Sequence, residues 1–172
     1  MKQTKERLFH HVTVSVFCKP NDDREAILCG LDLLSPVPAA DLLRQDPERD
    51  PDHGYVHHRL KDSDLMVQDT LTDQGTMTIF TLYFRRMSSV NAVAGMFRET
   101  LSEEELAQHR EDSASLLDAD GRMSFRLDKE ALMRGQVRLT ASGECYQVKA
   151  SIAAYPKNEE RIIEALKRIL RP

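Results

Sequence analysis

Apolar and polar residues alternate along much of this chain, and a period of two is typical of β-strands that bury one face. The first such stretch runs from Phe9 to Cys18, with Val12, Val14 and Val16 on one side and His11, Thr13 and Ser15 on the other. Residues 65–71 and 77–84 predict two more strands, joined by a turn at Thr72–Gly75. We expect one face of each strand to pack on a core and the other to meet solvent.

Helical patterns separate these strands. Asp22 and Glu25 have the spacing of a capping box, and the apolar stripe that follows consists of Ile27, Leu28, Leu31 and Leu34. Ser88 is expected to cap a second helix, and a short polar helix starts at the capping box Ser102–Glu105 and reaches about Leu117. Residues 36–64 are polar, acidic and rich in proline, which predicts a long loop.

The last third of the chain, from Arg122 to Leu170, has the most regular pattern. It predicts a strand at 122–127, a short helix at Lys129–Arg134 closed by Gly135, and a strand at 136–140 with Val137 and Leu139 inward. A hairpin then leads to a strand at 146–152, and a final helix follows Asn158. The whole pattern predicts one domain over residues 1–172, with an α+β fold and helices on one face of a mainly antiparallel sheet.

Charge is distributed unevenly along the chain. The net charge is -4, yet residues 121–172 hold eleven Lys and Arg against six Asp and Glu, which is +5, while the rest carries -9. Such asymmetry suggests that one part of the surface faces a polyanion. A solvated face whose cations only maintain solubility is the alternative at this point.

The outward positions of the last third are the candidate binding residues. If its strands share one sheet, the exposed face carries Arg122, Arg126, Arg138 and Lys149, and an arc of the final helix adds Lys157, Arg161 and Arg168. Cations among small polar side chains can bind the phosphates of RNA. Phe125 and Tyr146 fall on the predicted core side, so recognition of backbone and shape, as in structured or double-stranded RNA, is favoured over base recognition.

Catalytic and metal motifs are few. His53, His57 and His58 lie near acidic residues and could in principle hold zinc or manganese for hydrolysis, but they belong to the predicted loop, where nothing would fix their geometry. The sequence has no P-loop, dinucleotide-binding, nucleophile-elbow or H-E-x-x-H motif. We therefore expect no enzyme, no catalytic residue, no metal and no cofactor.

Localisation follows from a few simple features. The chain has three cysteines without C-x-x-C spacing, which is typical of a reducing cytoplasm. It has neither an apolar run long enough to cross a membrane nor a signal-peptide pattern at its start. A cytoplasmic protein without a membrane partner is expected.

Three segments resemble a known family: HHVTVSVFCKPNDDREAILCGL, FRLDKEALMRGQVRLT and VKASIAAYPKNEERIIEALKRIL. They are similar to an archaeal family of small RNA-binding proteins, described as a predicted exosome subunit with a double-stranded-RNA-binding-like fold. The resemblance implies an architecture like that of the ribosomal protein that binds five-S ribosomal RNA, and no catalytic residues.

The sequence therefore predicts a non-enzymatic RNA-binding protein. It would act in archaeal RNA processing or ribosome-related metabolism, with an RNA-processing complex as a partner. The alternative is an adaptor subunit that joins a larger assembly through its open sheet face or exposed strand edges without touching RNA.

Overall fold

A single antiparallel sheet organises the chain in its computed structural model, which describes residues 6–171. Its seven strands are β1 (Phe9–Cys18), β2 (Glu48–Arg49), β3 (Val56–Leu60), β4 (Ser63–Thr72), β5 (Gly75–Phe84), β6 (Met123–Asp128) and β7 (Cys145–Ile152). Their order is β2-β3-β4-β5-β1-β7-β6, so β1 lies between β5 and β7. The predicted α+β class is confirmed.

Helices cover one face of this sheet. They are α1 (Arg24–Asp32), α2 (Ala39–Leu43), α3 (Met87–Glu99), α4 (Glu103–Glu111), a 3-10 turn (Ser113–Leu116), α5 (Lys129–Met133) and α6 (Glu159–Ile169). Phe97 of α3 packs on Phe125 of β6 with ring centroids 4.7 Å apart, and the Tyr146 hydroxyl of β7 donates to the Ile27 carbonyl of α1 at 2.8 Å. Both Phe125 and Tyr146 therefore face the core, as predicted.

The alternation in β1 explains which of its side chains belong to the core. Val12, Val14 and Val16 are fully buried, and the residues between them point to the other face. Helix α1 approaches the sheet closely because Gly30 has no side chain: an added Cβ would lie 2.8 Å from Cζ of Tyr146. Glycine at this position lets the helix backbone reach the tyrosine hydroxyl.

Two predicted helix starts are wrong in detail. Asp23, not Asp22, caps α1, because its side chain accepts from the N–H of Ala26. Helix α3 begins at Met87, so Ser88 lies inside the helix instead of capping it, and the cap residue Arg86 makes no side-chain cap hydrogen bond. The Ser102–Glu105 capping box is present, but α4 ends at Glu111 and the chain continues as a 3-10 turn.

The sequence predicts a loop over residues 36–64, and the structure corrects this. The segment contains α2, β2, β3 and the first residues of β4. Ala39 and Leu42 bury against the core, and β3 pairs with β4 through a tight turn in which Lys61 adopts a positive φ of 56°. This segment extends the sheet beyond β4.

The predicted strand at 136–140 is reduced to one bridge between Leu139 and Leu127. Leu139 packs against the core, but Val137 is 36% exposed instead of inward. Backbone bonds from Asp128 N–H to the Arg138 carbonyl and from Thr140 N–H to the Arg126 carbonyl hold the segment beside β6. The side chain of Leu139 therefore connects this segment to the core. Val137 lies before the residues that pair with β6.

Candidate nucleic-acid interface

The face of the sheet away from the helices is open and mostly polar. The strand register places Thr13 of β1 between Tyr83 of β5 and Lys149 of β7. In the next row Ser15 lies between Thr81 and Gln147, and its hydroxyl donates to that of Thr81 at 3.3 Å. Hydroxyl and amide groups thus line the middle of the open face, with cations on the β6–β7 side.

A groove of about 580 Å³ runs across this part of the open face. We call it the basic groove, and it is lined by Ser15, Phe17, Lys19, Met77, Arg126, Lys129, Gly143, Glu144, Cys145, Gln147 and Lys149. Four cationic side chains and one carboxylate contribute to it. The composition favours an anionic ligand.

Arg126 and Lys149 are the two predicted residues that meet in the basic groove. The Arg126 guanidinium is exposed and its Nε donates to Oε1 of Gln147 at 3.3 Å. The Lys149 ammonium is partly exposed and lies 3.7 Å from a carboxylate oxygen of Asp118. Among residues 6–171, no carboxylate lies within ion-pair distance of Arg126. Its charge is therefore available to a ligand.

Asp118 connects Lys149 to Arg122. Its carboxylate accepts from Nε of Arg122 at 3.1 Å, and the same guanidinium reaches Asp120 at 2.6 Å. Burial pushes the pKa of Asp118 upward, but backbone N–H donors and the neighbouring cations outweigh it, so the pKa lies below its ordinary value. Arg122 is thus placed next to the open face, with its charge largely neutralised.

Lys157 lies on the same side as Arg122. It lines a second cavity of about 450 Å³ that also contains Asp118 and Asn158. Burial lowers the pKa of His11 on the open face, and the charges of His10, Arg122 and Lys157 lower it further. The positive potential of these cations therefore extends over the first strand of the open face.

Arg138 is exposed next to β6, on the segment bridged to that strand. Because Leu139 faces the core and the Arg138 carbonyl accepts from the N–H of Asp128, Arg138 lies beyond the sheet edge, one row along from Arg126. No carboxylate within residues 6–171 forms an ion pair with it.

Arg161 and Arg168 lie on α6 and do not line the basic groove. Arg161 pairs with Glu164 at 2.8 Å, and Arg168 pairs with Glu6 at 3.0 Å. Ile162 and Leu166 of the same helix are buried, so the basic arc belongs to the outer side of the helix layer. The structure separates these two residues from the cations of the open face.

Three residues of the basic groove were not predicted from the sequence: Phe17, Lys19 and Lys129. Phe17 follows His11, Thr13 and Ser15 in the outward series, so the alternation alone could have placed it on the open face. Lys19 pairs with Glu144 across the groove. Lys129 has the sequence context of a surface residue at a helix start, yet its side chain is only 4% exposed.

Each of the three histidines in residues 36–64 has its own hydrogen-bond partner. Nδ1 of His53 lies 3.2 Å from Asp50, that of His57 lies 3.0 Å from Asp64, and that of His58 lies 3.1 Å from the Gln45 carbonyl. Within residues 6–171 no cluster of three or more His, Cys, Asp or Glu side chains could hold a metal ion. The arrangement gives no support to a metal-dependent hydrolase at this place.

Comparison with known proteins gives the family of this chain. Residues 11–154 match a family model described as RNA binding, which spans most of the chain. The chain therefore belongs to this RNA-binding family. No curated protein sequence matches it significantly.

Three of the solved structures with a similar fold come from archaea. A DUF54 protein from Archaeoglobus fulgidus is 20% identical, with a TM-score of 0.65 over 94% of this chain and 99% of the other. A DUF54 protein from Methanothermobacter thermautotrophicus is 16% identical, with a TM-score of 0.65 over 95% and 99%. One from Sulfolobus solfataricus is 16% identical, with a TM-score of 0.55 over 93% and 96%.

No helix within residues 6–171 is long and apolar enough to cross a membrane.

Proposed function

We propose that this protein binds RNA through the open face of its sheet, with Arg126, Lys149 and Arg138 contacting phosphates. The observation that carries the proposal is the meeting of Arg126 and Lys149 in the basic groove of a chain that belongs to an RNA-binding family. Lys157 extends the positive surface beyond Asp118, while Arg122 lies next to the open face with two carboxylate partners. Arg161 and Arg168 act only through long-range attraction, because α6 holds them away from the groove.

Structured RNA suits this surface. A-form helices present phosphates and 2′-hydroxyls across a wide, shallow minor groove, where proteins recognise shape. Thr13, Ser15 and Gln147 supply hydroxyl and amide groups for such contacts, and the cations flank them. A double-stranded segment can therefore lie along the open face without its bases being recognised individually.

The biological setting we propose is RNA processing or ribosome-related metabolism in the cytoplasm of an archaeon, without catalysis by this chain. The resemblance to a predicted exosome subunit and the archaeal sources of the similar structures support it. An RNA-processing complex is the corresponding partner, because a binding subunit without chemistry of its own needs an enzyme to act on the RNA.

The test is the salt dependence of RNA binding. Each bound phosphate releases counterions, so the affinity for a structured RNA should fall steeply with salt. Replacing Arg126→Ala together with Lys149→Ala should weaken binding to all structured RNAs and flatten the log–log salt slope by about 1 for each phosphate that the variant no longer binds. Fluorescence anisotropy at several salt concentrations measures both quantities.

The matched control removes two cations elsewhere. Arg134→Ala together with Lys167→Ala deletes the same charge from exposed positions outside the basic groove. This pair should leave the slope nearly unchanged. If both double variants behave alike, or if the wild-type protein binds no structured RNA at micromolar concentration, the proposal fails; co-purification of a protein partner after nuclease treatment would then favour the adaptor alternative.

A further inference from the structure

We infer that the ring of Phe17 is a stacking platform for one unpaired base of the bound RNA, an inference that rests on the proposed RNA-binding function. Phe17 is 51% exposed on the open face, at the end of β1 and inside the basic groove. The other outward residues of β1 are polar and half-buried. An exposed aromatic ring among cations has the composition of a single-stranded RNA contact.

The backbone beneath this ring is held in place. The buried ammonium of Lys129 donates to the Phe17 carbonyl at 2.7 Å and to the Asp22 carboxylate at 2.7 Å. On the other side, β5 pairs Ile79 with Phe17 in the sheet register. The strand end is therefore fixed from both sides, and little conformational freedom has to be given up when a ligand stacks on the ring.

The distance from Phe17 to the cations fits a nucleotide. Arg126 lies two strands away and one row along, because Ser15 pairs with Gln147 and Gln147 pairs with Arg126. With about 4.8 Å between strands and about 3.4 Å per residue, the two Cα atoms are about 12 Å apart. The long Arg126 side chain lines the same groove. A base stacked on Phe17 therefore leaves its phosphate on the Arg126 side.

The ligand must be an unpaired base rather than a base pair. Both faces of each internal base of a duplex are covered by neighbouring bases, and a terminal pair is free only at the end of the helix. A helix that lies along the cations therefore offers an aromatic ring only a nucleotide outside the helix. The groove also contains Met77, whose thioether suits the edge of an aromatic ring. The preferred RNA is thus a helix with an unpaired nucleotide beside it, the helix on the cations and the base on Phe17.

A tryptophan reporter tests this contact directly, because the chain contains no tryptophan. The Phe17→Trp variant is titrated with a blunt RNA hairpin, whose two strands are joined by a flexible linker without bases, and with the same hairpin carrying a single-stranded adenosine tail. Stacking of an adenine should quench the emission with the tailed RNA and not with the blunt one. The control is Leu33→Trp, at a residue that is 52% exposed on the helix side of the sheet, where neither RNA should quench.

Affinity provides the second measurement. Phe17→Leu keeps an apolar side chain but removes the aromatic face, and it should weaken binding of the tailed hairpin by about 5- to 150-fold. Binding of the blunt hairpin should not change. This pattern together with tail-dependent quenching supports the inference.

The possible failures are distinguishable. If wild-type protein binds both hairpins equally, Phe17→Leu weakens neither, and no quenching occurs, the stacking inference is overturned while RNA binding by the open face stands. If neither hairpin binds the wild-type protein, the proposed function itself fails. Equal quenching in the Phe17→Trp and Leu33→Trp variants would also overturn the inference, because the signal would not be specific to the groove.

Discussion

Lys129 has surroundings unlike those of an ordinary, solvent-exposed lysine. Its side chain is 4% exposed, and its ammonium donates to the Phe17 carbonyl and to Asp22. A buried ammonium is tolerated only when its hydrogen bonds are satisfied, as they are here. Lys129 thereby ties the start of α5 to the end of β1.

Replacement of this lysine should destabilise the protein. Lys129→Met keeps the apolar stem but leaves the Phe17 carbonyl without its donor and Asp22 without its cation, at a cost of about 1–3 kcal/mol. Urea unfolding followed by circular dichroism measures the change in the free energy of unfolding. Lys19→Met is the control: that side chain is 55% exposed and its pair with Glu144 lies at the surface, so the effect should stay within about 0.5 kcal/mol. Equal destabilisation of the two variants would contradict the structural role of Lys129.

At the level of residues, part of the candidate site can be predicted from the sequence. Alternation is sufficient to place Arg126 and Lys149 outward, since each lies between buried neighbours on a regular strand. The sequence does not reveal that Asp118 also approaches Lys149, because this contact joins the turn before β6 to β7. Ion pairs between distant segments depend on the tertiary fold, which local patterns do not contain.

At the scale of elements, the contact between α1 and β7 depends on one glycine. Gly30→Ala would place a methyl group against the ring and hydroxyl of Tyr146, which is fully buried and bound to the Ile27 carbonyl. Because the surrounding core is closely packed, we expect the free energy of unfolding to fall by about 1–3 kcal/mol.

Gly95 provides the matched control within another helix. A Cβ at Gly95 would meet only the end of the Arg98 side chain, at 3.9 Å. Alanine has a better helix propensity, so Gly95→Ala should stabilise the protein by about 0.5–1 kcal/mol. Thermal unfolding should therefore shift in opposite directions for the two substitutions. If both substitutions stabilised the protein, helix propensity rather than the approach to Tyr146 would govern Gly30.

Elements with a long regular pattern are predictable from the sequence, and short ones are not. Strands β1 and β5 alternate regularly along most of their length, and the turn between β4 and β5 lies where the sequence places it. Strand β3 contains Val56, His57, His58, Arg59 and Leu60, none of which is fully buried. Its existence depends on pairing with β4, so its own pattern carries little information. The prediction for the segment 136–140 is wrong for the opposite reason. Its alternation is clear, but it forms only one bridge, between Leu139 and Leu127.

At the scale of the whole molecule, carboxylates held by cations set the response to acid. Burial pushes the pKa of Asp22 upward, but the Lys129 hydrogen bond, the Lys19 N–H and both ammonium charges outweigh it and hold the pKa below its ordinary value of 3.8. Asp118 is held low in the same way. Carboxylates with a lowered pKa in the folded state contribute stability above the unfolded pKa, and this stability disappears as the pH falls through the folded pKa.

The free energy of unfolding should therefore decrease as the pH falls below about 4. Combining Asp22→Asn with Asp118→Asn should lower stability at pH 7 and make it less dependent on pH in the acid range. Urea titrations of the wild-type protein and the double variant between neutral and acid pH measure this difference. An identical pH dependence of the two proteins would show that other groups control acid unfolding.

The position of β1 in the sheet also has a consequence for the order of folding. It pairs with β5 on one side and with β7 on the other, and Val14 lies opposite Val148. During synthesis the first strand must wait for residues more than a hundred positions later before its second edge is covered. Such distant pairing predicts slow folding and a nascent chain with a strand edge that is open to wrong partners for a time. The basic groove, which needs both partners of this strand, can assemble only after β7 has left the ribosome.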